Sequence, residues 1–155
     1  MFPENKISDG AVRHVISLSG GKDSLALWLL SREWDIDSVV IFADTGHEHP
    51  LTYEYISLLE QKLGPVIRVR ADFSQRIINK RNYIQNIWPI KLVEKYGYTP
   101  QGAEQRVAET LEQMYPRGIP FLDLCIWKGR FPSTRARFCT FELRKVRISG
   151  EILLG

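Results

Sequence analysis

The stretch "VRHVISLSGGKDSLALWLL", residues 12–30, constrains the fold more than any other. Its opening, Val12 to Leu18, is rich in β-branched side chains and reads as a strand. "LALWLL", Leu25 to Leu30, is apolar on every side, as a helix covered by other layers would be. Between them stand Ser19, Gly20, Gly21, Lys22, Asp23 and Ser24. Glycines permit backbone angles closed to other residues and let a ligand approach the main chain. A strand that runs through such a turn into a helix presents successive N–H groups backed by the positive end of the helix. That arrangement holds an anion.

The remaining pattern predicts the layers around this turn. A second strand, Ser38 to Asp44, leads into "TGHEHP". Pro50 suits the first turn of a helix through Leu63, with Leu51, Tyr55, Leu58, Leu59 and Lys62–Leu63 as its stripe and Gly64 as its stop. "PVIRVRAD", Pro65 to Asp72, reads as a third strand, and residues 73–88 as a helix that ends at Trp88–Pro89. The order β-α-β-α-β-α predicts a Rossmann-like parallel sheet in a three-layer α/β/α sandwich, with its first three strands in the order 3-2-1. Further on, Thr99 caps a helix that begins at Pro100 and turns Val107, Leu111 and Met114 inward. "FLDLCIW" reads as either a short strand or a buried irregular segment, and "FPSTRAR" as a loop. "FCTFELRKVRI" suits a short basic helix or turn, and the tail "SGEILLG" one more strand at best. No linker divides the chain, so a single domain over 1–155 is expected.

Composition narrows the class. A chain of 155 residues with 44% hydrophobic and 25% charged residues has enough apolar material for a core, which argues against global disorder. No apolar run approaches membrane-spanning length, and "MFPENKISDG" lacks a signal-peptide core. Two cysteines, Cys125 and Cys139, argue against a disulfide framework and for a cytoplasmic protein. The net charge of +3 leans only weakly toward anionic partners.

Within the glycine turn, Ser19 and Ser24 add hydroxyl donors and Lys22 a mobile positive charge. Asp23 would repel a phosphate unless a Mg²⁺ ion lay between them, and Mg²⁺ favours one or two carboxylates plus phosphate oxygens. The spacing is not that of a Walker loop. In an open parallel sheet, ligands lie across the carboxyl ends of adjacent strands, so Asp44 is expected to border the same crevice, with Thr45 and Gly46 as a polar turn. Asp44 could meet ribose hydroxyls, a metal or a lysine, and the sequence does not choose. His47 and His49, two residues apart with no third histidine near, cannot close a zinc site. They read as loop histidines facing substrate or solvent.

From Lys128 to Arg147, seven basic residues stand against one acid, Glu142. Arg135 and Arg137 are candidates for a phosphate or sulfate through the bidentate guanidinium fork, beside the plainer reading of a solvated basic face. Phe131, Phe138 and Phe141 interleave with these charges, which suits contact with RNA or DNA through 128–147. Cationic neighbours would favour a Cys139 thiolate, although such a cysteine also reads as a small buried apolar residue. Cys125 reads as core.

"SGGKDS" resembles the pyrophosphate-binding (PP-loop) turn of the adenine-nucleotide α-hydrolase superfamily, the ATP pyrophosphatases. "DTG…P…Y" and "ARFCTFELRKV" resemble its phosphoadenosine-phosphosulfate (PAPS) reductase branch, so the likeness touches residues 12–147. It implies a HUP-type sheet and an adenine nucleotide, ATP or an adenylyl sulfate, bound with Mg²⁺. Ser19 to Ser24 would hold the phosphates, Lys22 and Asp23 would serve catalysis, and Asp23 would contact the metal. Asp44, Thr45, Gly46, Arg135, Arg137, Arg144 and Lys145 would complete the nucleotide site. Reductases with an iron–sulfur cluster need four cysteine ligands, so no such cluster is expected here. The cluster-free enzymes use a cysteine in a motif near the carboxyl terminus. Here only Cys139 is a candidate, so the reductase step is not expected of this chain alone. The family generally continues past the basic segment. This implies a truncated domain, a compact phage- or plasmid-type variant or a piece of a split protein, with an exposed sheet edge open to a second copy or a partner chain. Three functions remain: a nucleotide-binding enzyme of sulfur metabolism, a nucleic-acid-modifying enzyme that adenylates its target for thiolation or phosphorothioation, and a nucleotide-binding module without catalysis.

Overall fold

The computed structural model describes residues 14–145, with side chains to 143. Among these, residues 14–43 and 48–69 form one compact unit, and residues 44–47 and 70–145 a second. The protein is α/β, with three parallel strands flanked by helices in a Rossmann-like arrangement.

In the first unit, β1 (His14–Leu18), α1 (Lys22–Glu33), β2 (Ser38–Asp44), α2 (Pro50–Leu63) and β3 (Ile67–Arg70) alternate as the periodicity predicts. The strands lie in the order β1-β2-β3, and β1 pairs with β2 in parallel register, His14 opposite Ser38 and Leu18 opposite Phe42. Alternate residues of a strand share a face. Ile16, Leu18, Val40 and Phe42 therefore form one apolar surface, which packs with Trp28 of α1 and with Ile56 and Leu59 of α2. Both helices serve this one face. A helix so placed buries a single stripe, and this corrects two sequence expectations. In α1 the buried positions are Trp28 and Ser31, whereas Leu27, Leu29 and Leu30 are exposed despite their apolarity. Ser31 tolerates burial because its hydroxyl donates to the Trp28 carbonyl at 2.7 Å. In α2 the inward stripe runs through Ile56 and Leu59, and Leu51, Tyr55 and Leu58 face outward. Gly64 closes α2 as expected, at φ 125°.

The second unit is helical among its described residues: α3 (Ser74–Asn86), α4 (Trp88–Tyr96), α5 (Pro100–Gln113), α6 (Pro120–Lys128) and α7 (Phe138–Thr140), followed by a π-helical turn, Phe141–Lys145. Helix α3 packs against α4, α5 and α6. It contributes Ile77 and Ile84 to a core shared with Leu92, Ala103, Val107, Met114, Leu124 and Leu143. Thr99 caps α5 through its side chain at 3.1 Å from the Gly102 amide, with Pro100 first in the helix, as the sequence indicates. Pro89, in contrast, does not end helical structure. It stands in the first turn of α4, where a residue without an N–H costs no hydrogen bond. "FLDLCIW" is neither strand nor irregular but α6, opened by Pro120 and closed by Gly129 at φ 72°. The Gly129 and Arg130 amides both reach the Cys125 carbonyl, at 2.8 and 3.2 Å, which satisfies the helix end. The tail "SGEILLG" lies outside the described residues.

Candidate functional site

The glycine turn leaves β1 at Leu18 and enters α1 at Lys22. Gly20 adopts φ +76°, and a Cβ there would lie 3.3 Å from Thr52 Cγ2 of α2. Glycine is thus required twice, by the left-handed backbone and by the close approach of α2. Gly21 is the N-cap of α1 and gives no side-chain cap, so the first-turn amides of that helix keep their donors. Ser24 ties the turn together. Its hydroxyl donates to the Gly21 carbonyl at 2.9 Å, accepts from the Ser19 amide at 3.2 Å and lies 3.2 Å from the Ser19 hydroxyl. Lys22 and Asp23 are exposed and make no hydrogen bond or ion pair with another described residue. The six residues Ser19 to Ser24 form one exposed turn with a fixed backbone and two unengaged charges.

The other expected site residues belong to the second unit. Asp44 ends β2 and folds back on its own turn, with Oδ1 accepting from the Gly46 amide at 2.7 Å. Thr45 is buried. Its carbonyl accepts from the Phe121 amide at 2.9 Å, and its hydroxyl lies 3.3 Å from the His47 amide. Gly46, at φ +69°, is the more constrained glycine. A Cβ there would fall 2.8 Å from Pro120 Cδ and 2.9 Å from Arg70 Nη2. His47 stacks on Phe121 with ring centroids 5.2 Å apart. His49, back in the first unit, caps α2, its Nδ1 accepting from the Leu51 amide at 3.2 Å. Each histidine thus has a structural task in its own unit. No group of three or more His, Cys, Asp or Glu side chains converges as a metal site among the described residues.

Sequence reasoning passed over three members of this second region. Asp123, only 3% exposed, accepts from the Arg117 and Gly118 amides at 2.6 and 3.0 Å. Arg70 donates to the Gly118 carbonyl at 3.1 Å, and Phe121 carries the His47 stack. The one available signal was a carboxylate inside the apolar run "FLDLCIW", since a buried charge must find partners.

The basic segment divides in two. Glu142, its single acid, is held by Arg76 at 3.0 Å and Lys128 at 3.2 Å. These two cations lie over the Trp127 ring at 4.7 and 4.0 Å, so Lys128 is part of a structural cluster. Arg135 and Arg137 are exposed and unpaired among the described residues. Arg135 lies within, and Arg137 directly after, a tight turn in which Ser133 and Ala136 exchange backbone hydrogen bonds. The side chains of Arg144 and Lys145 lie outside the described residues. Cys139 is half-buried against the helical core, and Cys125 is buried, with its thiol pushed up from the usual value by burial and, less, by Cys139.

Three parallel strands flanked by helices, with a glycine turn between the first strand and the first helix, define a Rossmann-like α/β class of domain. The model of the phosphoadenosine phosphosulfate reductase domain matches residues 13–112, and the chain belongs to that family, within the PP-loop/adenine-nucleotide α-hydrolase superfamily. A protein of Escherichia phage 186, described as an uncharacterized 37.8 kDa protein in the gpa 5' region, is 54% identical over 141 residues. The match covers 91% of this chain and 42% of the phage protein, so the chain spans less than half of that relative's length. No solved structure matches the chain significantly.

Proposed function

We propose that the first unit binds the phosphates of an adenine nucleotide, ATP or an adenylyl sulfate, on Ser19 to Ser24, with Mg²⁺. The observation that carries this reading is the turn itself: Gly20 in a left-handed conformation and uncapped amides at the head of α1, followed by the free charges of Lys22 and Asp23. Phosphate oxygens would accept from the amides and from the Lys22 ammonium. Asp23 fits a metal carried in by the nucleotide, because Mg²⁺ needs only one or two protein carboxylates when phosphates supply the rest. The ion would neutralise phosphate charge. The proposed site is confined to these six residues of the first unit. The reading stops at binding. Cys139, packed on the helical core, is not proposed as a reductase nucleophile.

A thermal-shift series tests this. ATP or adenylyl sulfate with Mg²⁺ should raise the melting temperature of the full chain, since a ligand of the native state stabilises it by mass action. Lys22→Ala should leave the unliganded melting temperature unchanged and weaken nucleotide binding by about 1.5–3 kcal/mol, the loss of a charged contact. No shift with either nucleotide would sink the proposal.

A further inference from the structure

The second unit contains a cavity of about 660 Å³ between α5 and the α6–loop segment, built without any residue of the glycine turn. That volume lies in the range of ligand-binding clefts. Its floor is apolar, formed by Met114, Leu122, Cys125 and Ile126. Phe131 lines its mouth and is 69% exposed, with nothing in the core to account for an aromatic ring there.

The charges around the mouth are asymmetric. On the α5 side, Arg106 pairs with Glu109 at 3.6 Å, and Glu112 and Gln113 supply further polar groups. In the segments that follow α5 and α6, Arg117 and Arg130 line the cavity without an ion pair among the described residues. The chain from Lys128 to Phe141 has no acid at all and carries Arg135 and Arg137 beyond the aromatic ring. A small anion would use the guanidiniums and leave the apolar floor and the ring unexplained. An apolar ligand would leave the guanidiniums unexplained. A strand of unpaired nucleotides uses both, since its bases offer π-faces to aromatic side chains and its phosphates follow a basic track.

We propose that this cavity accepts one unpaired base of a single-stranded nucleic acid. The base stacks on Phe131 over the apolar floor, and the adjoining phosphates lie on Arg117 and Arg130. Glu112 and Gln113 face the base edge, where a carboxylate accepts from an exocyclic amine and would repel a phosphate. The backbone of the strand is thereby confined to the arginine side. This inference goes beyond the nucleotide reading of the first unit and does not rest on it.

Fluorescence anisotropy with a labelled twelve-nucleotide single strand and its duplex tests the assignment on the full chain. The single strand should bind more tightly than the duplex. Phe131→Ala should weaken it about 5- to 150-fold, the usual effect of removing a base-stacking aromatic, and Phe131→Tyr should restore it. Arg130→Ala should reduce the slope of log affinity against log salt by about 0.7, one phosphate contact on a single strand. None of these variants touches Ser19 to Ser24, so nucleotide-induced thermal shifts should survive in all of them, and the two proposals can fail separately. Equal affinity for duplex and single strand would overturn the proposal. So would displacement by inorganic polyphosphate at the same concentration from wild type and Phe131→Ala, which would reduce the region to a polyanion surface.

Discussion

The two compact units of this chain bury their polar groups in opposite ways. In the first, the sheet pairs its own backbone, the core is apolar but for Ser31, and charged side chains bond at exposed positions, Arg32 to the Leu63 carbonyl and Arg68 to Glu60. In the second, helices satisfy their own backbone, and charged side chains reach inward to fix what lies between them. Asp123 holds the loop before α6 by two amides. Arg81 of α3 donates to the Leu111 and Met114 carbonyls at 2.5 and 2.8 Å, and Lys80 to the Trp127 carbonyl at 2.5 Å. A parallel sheet sets the spacing of its strands by hydrogen bonds. Helices have no such rule, and here side-chain-to-backbone bonds at α5, α6 and the preceding loop supply it.

The widest test of this contrast compares the two cores. Ile56 and Leu124 are each fully buried, one in either unit. Replacement by alanine should cost about 2–5 kcal/mol in each case. Urea unfolding followed at Trp28 for the first unit and at Trp127 for the second distinguishes a shared transition from separate ones. If Ile56→Ala moves both probes together, the units unfold as one cooperative body and the contrast is one of local architecture only.

Next in size is Asp123. Asp123→Ala strands two buried amides and should cost about 1.5–3 kcal/mol, whereas Asp123→Asn keeps one acceptor and should cost less. Equal losses in urea melts would mean that shape and one retained acceptor contribute nothing and that only the full carboxylate holds the loop. Gly20→Ala should cost about 1–2 kcal/mol through its left-handed backbone. Gly46→Ala should cost more, because its new Cβ also meets Pro120 and Arg70 below 3.0 Å. The reverse order would show that the first turn, not the second, is the rigid one.

The smallest expected effect is that of Lys80. Burial chiefly, and Lys128 next, hold its ammonium below the ordinary value of 10.5. The folded state therefore releases this proton before the unfolded state does. Its contribution to stability should rise with pH from the lowered value up to 10.5 and level off above it. Lys80→Gln should flatten that rise in melting temperature against pH. An unchanged slope would assign it to other groups.

Much of the first unit was legible because its signals are local. The β-branched residues of β1, Pro50 and Gly64 around α2, and the run from Ser19 to Ser24 each act within a few residues, and the backbone follows them. In the second unit the same held for Thr99 and Pro100. Where local signals were symmetric, tertiary structure decided. "LALWLL" offers apolar residues to every direction, and only the position of the sheet selects Trp28 and Ser31 for burial. "FLDLCIW" has no periodicity to separate helix from strand, and Asp123, which binds a loop outside the helix, finds its partners only once that loop is in place. Pro89 is compatible with the end of one helix or the start of the next, and the packing of Leu92 into the helical core accompanies the second choice. A sequence by itself specifies what each residue's own backbone and nearest neighbours permit. Which of several apolar faces is buried, and which charge is satisfied inside, depends on surfaces that exist only after the chain has closed on itself.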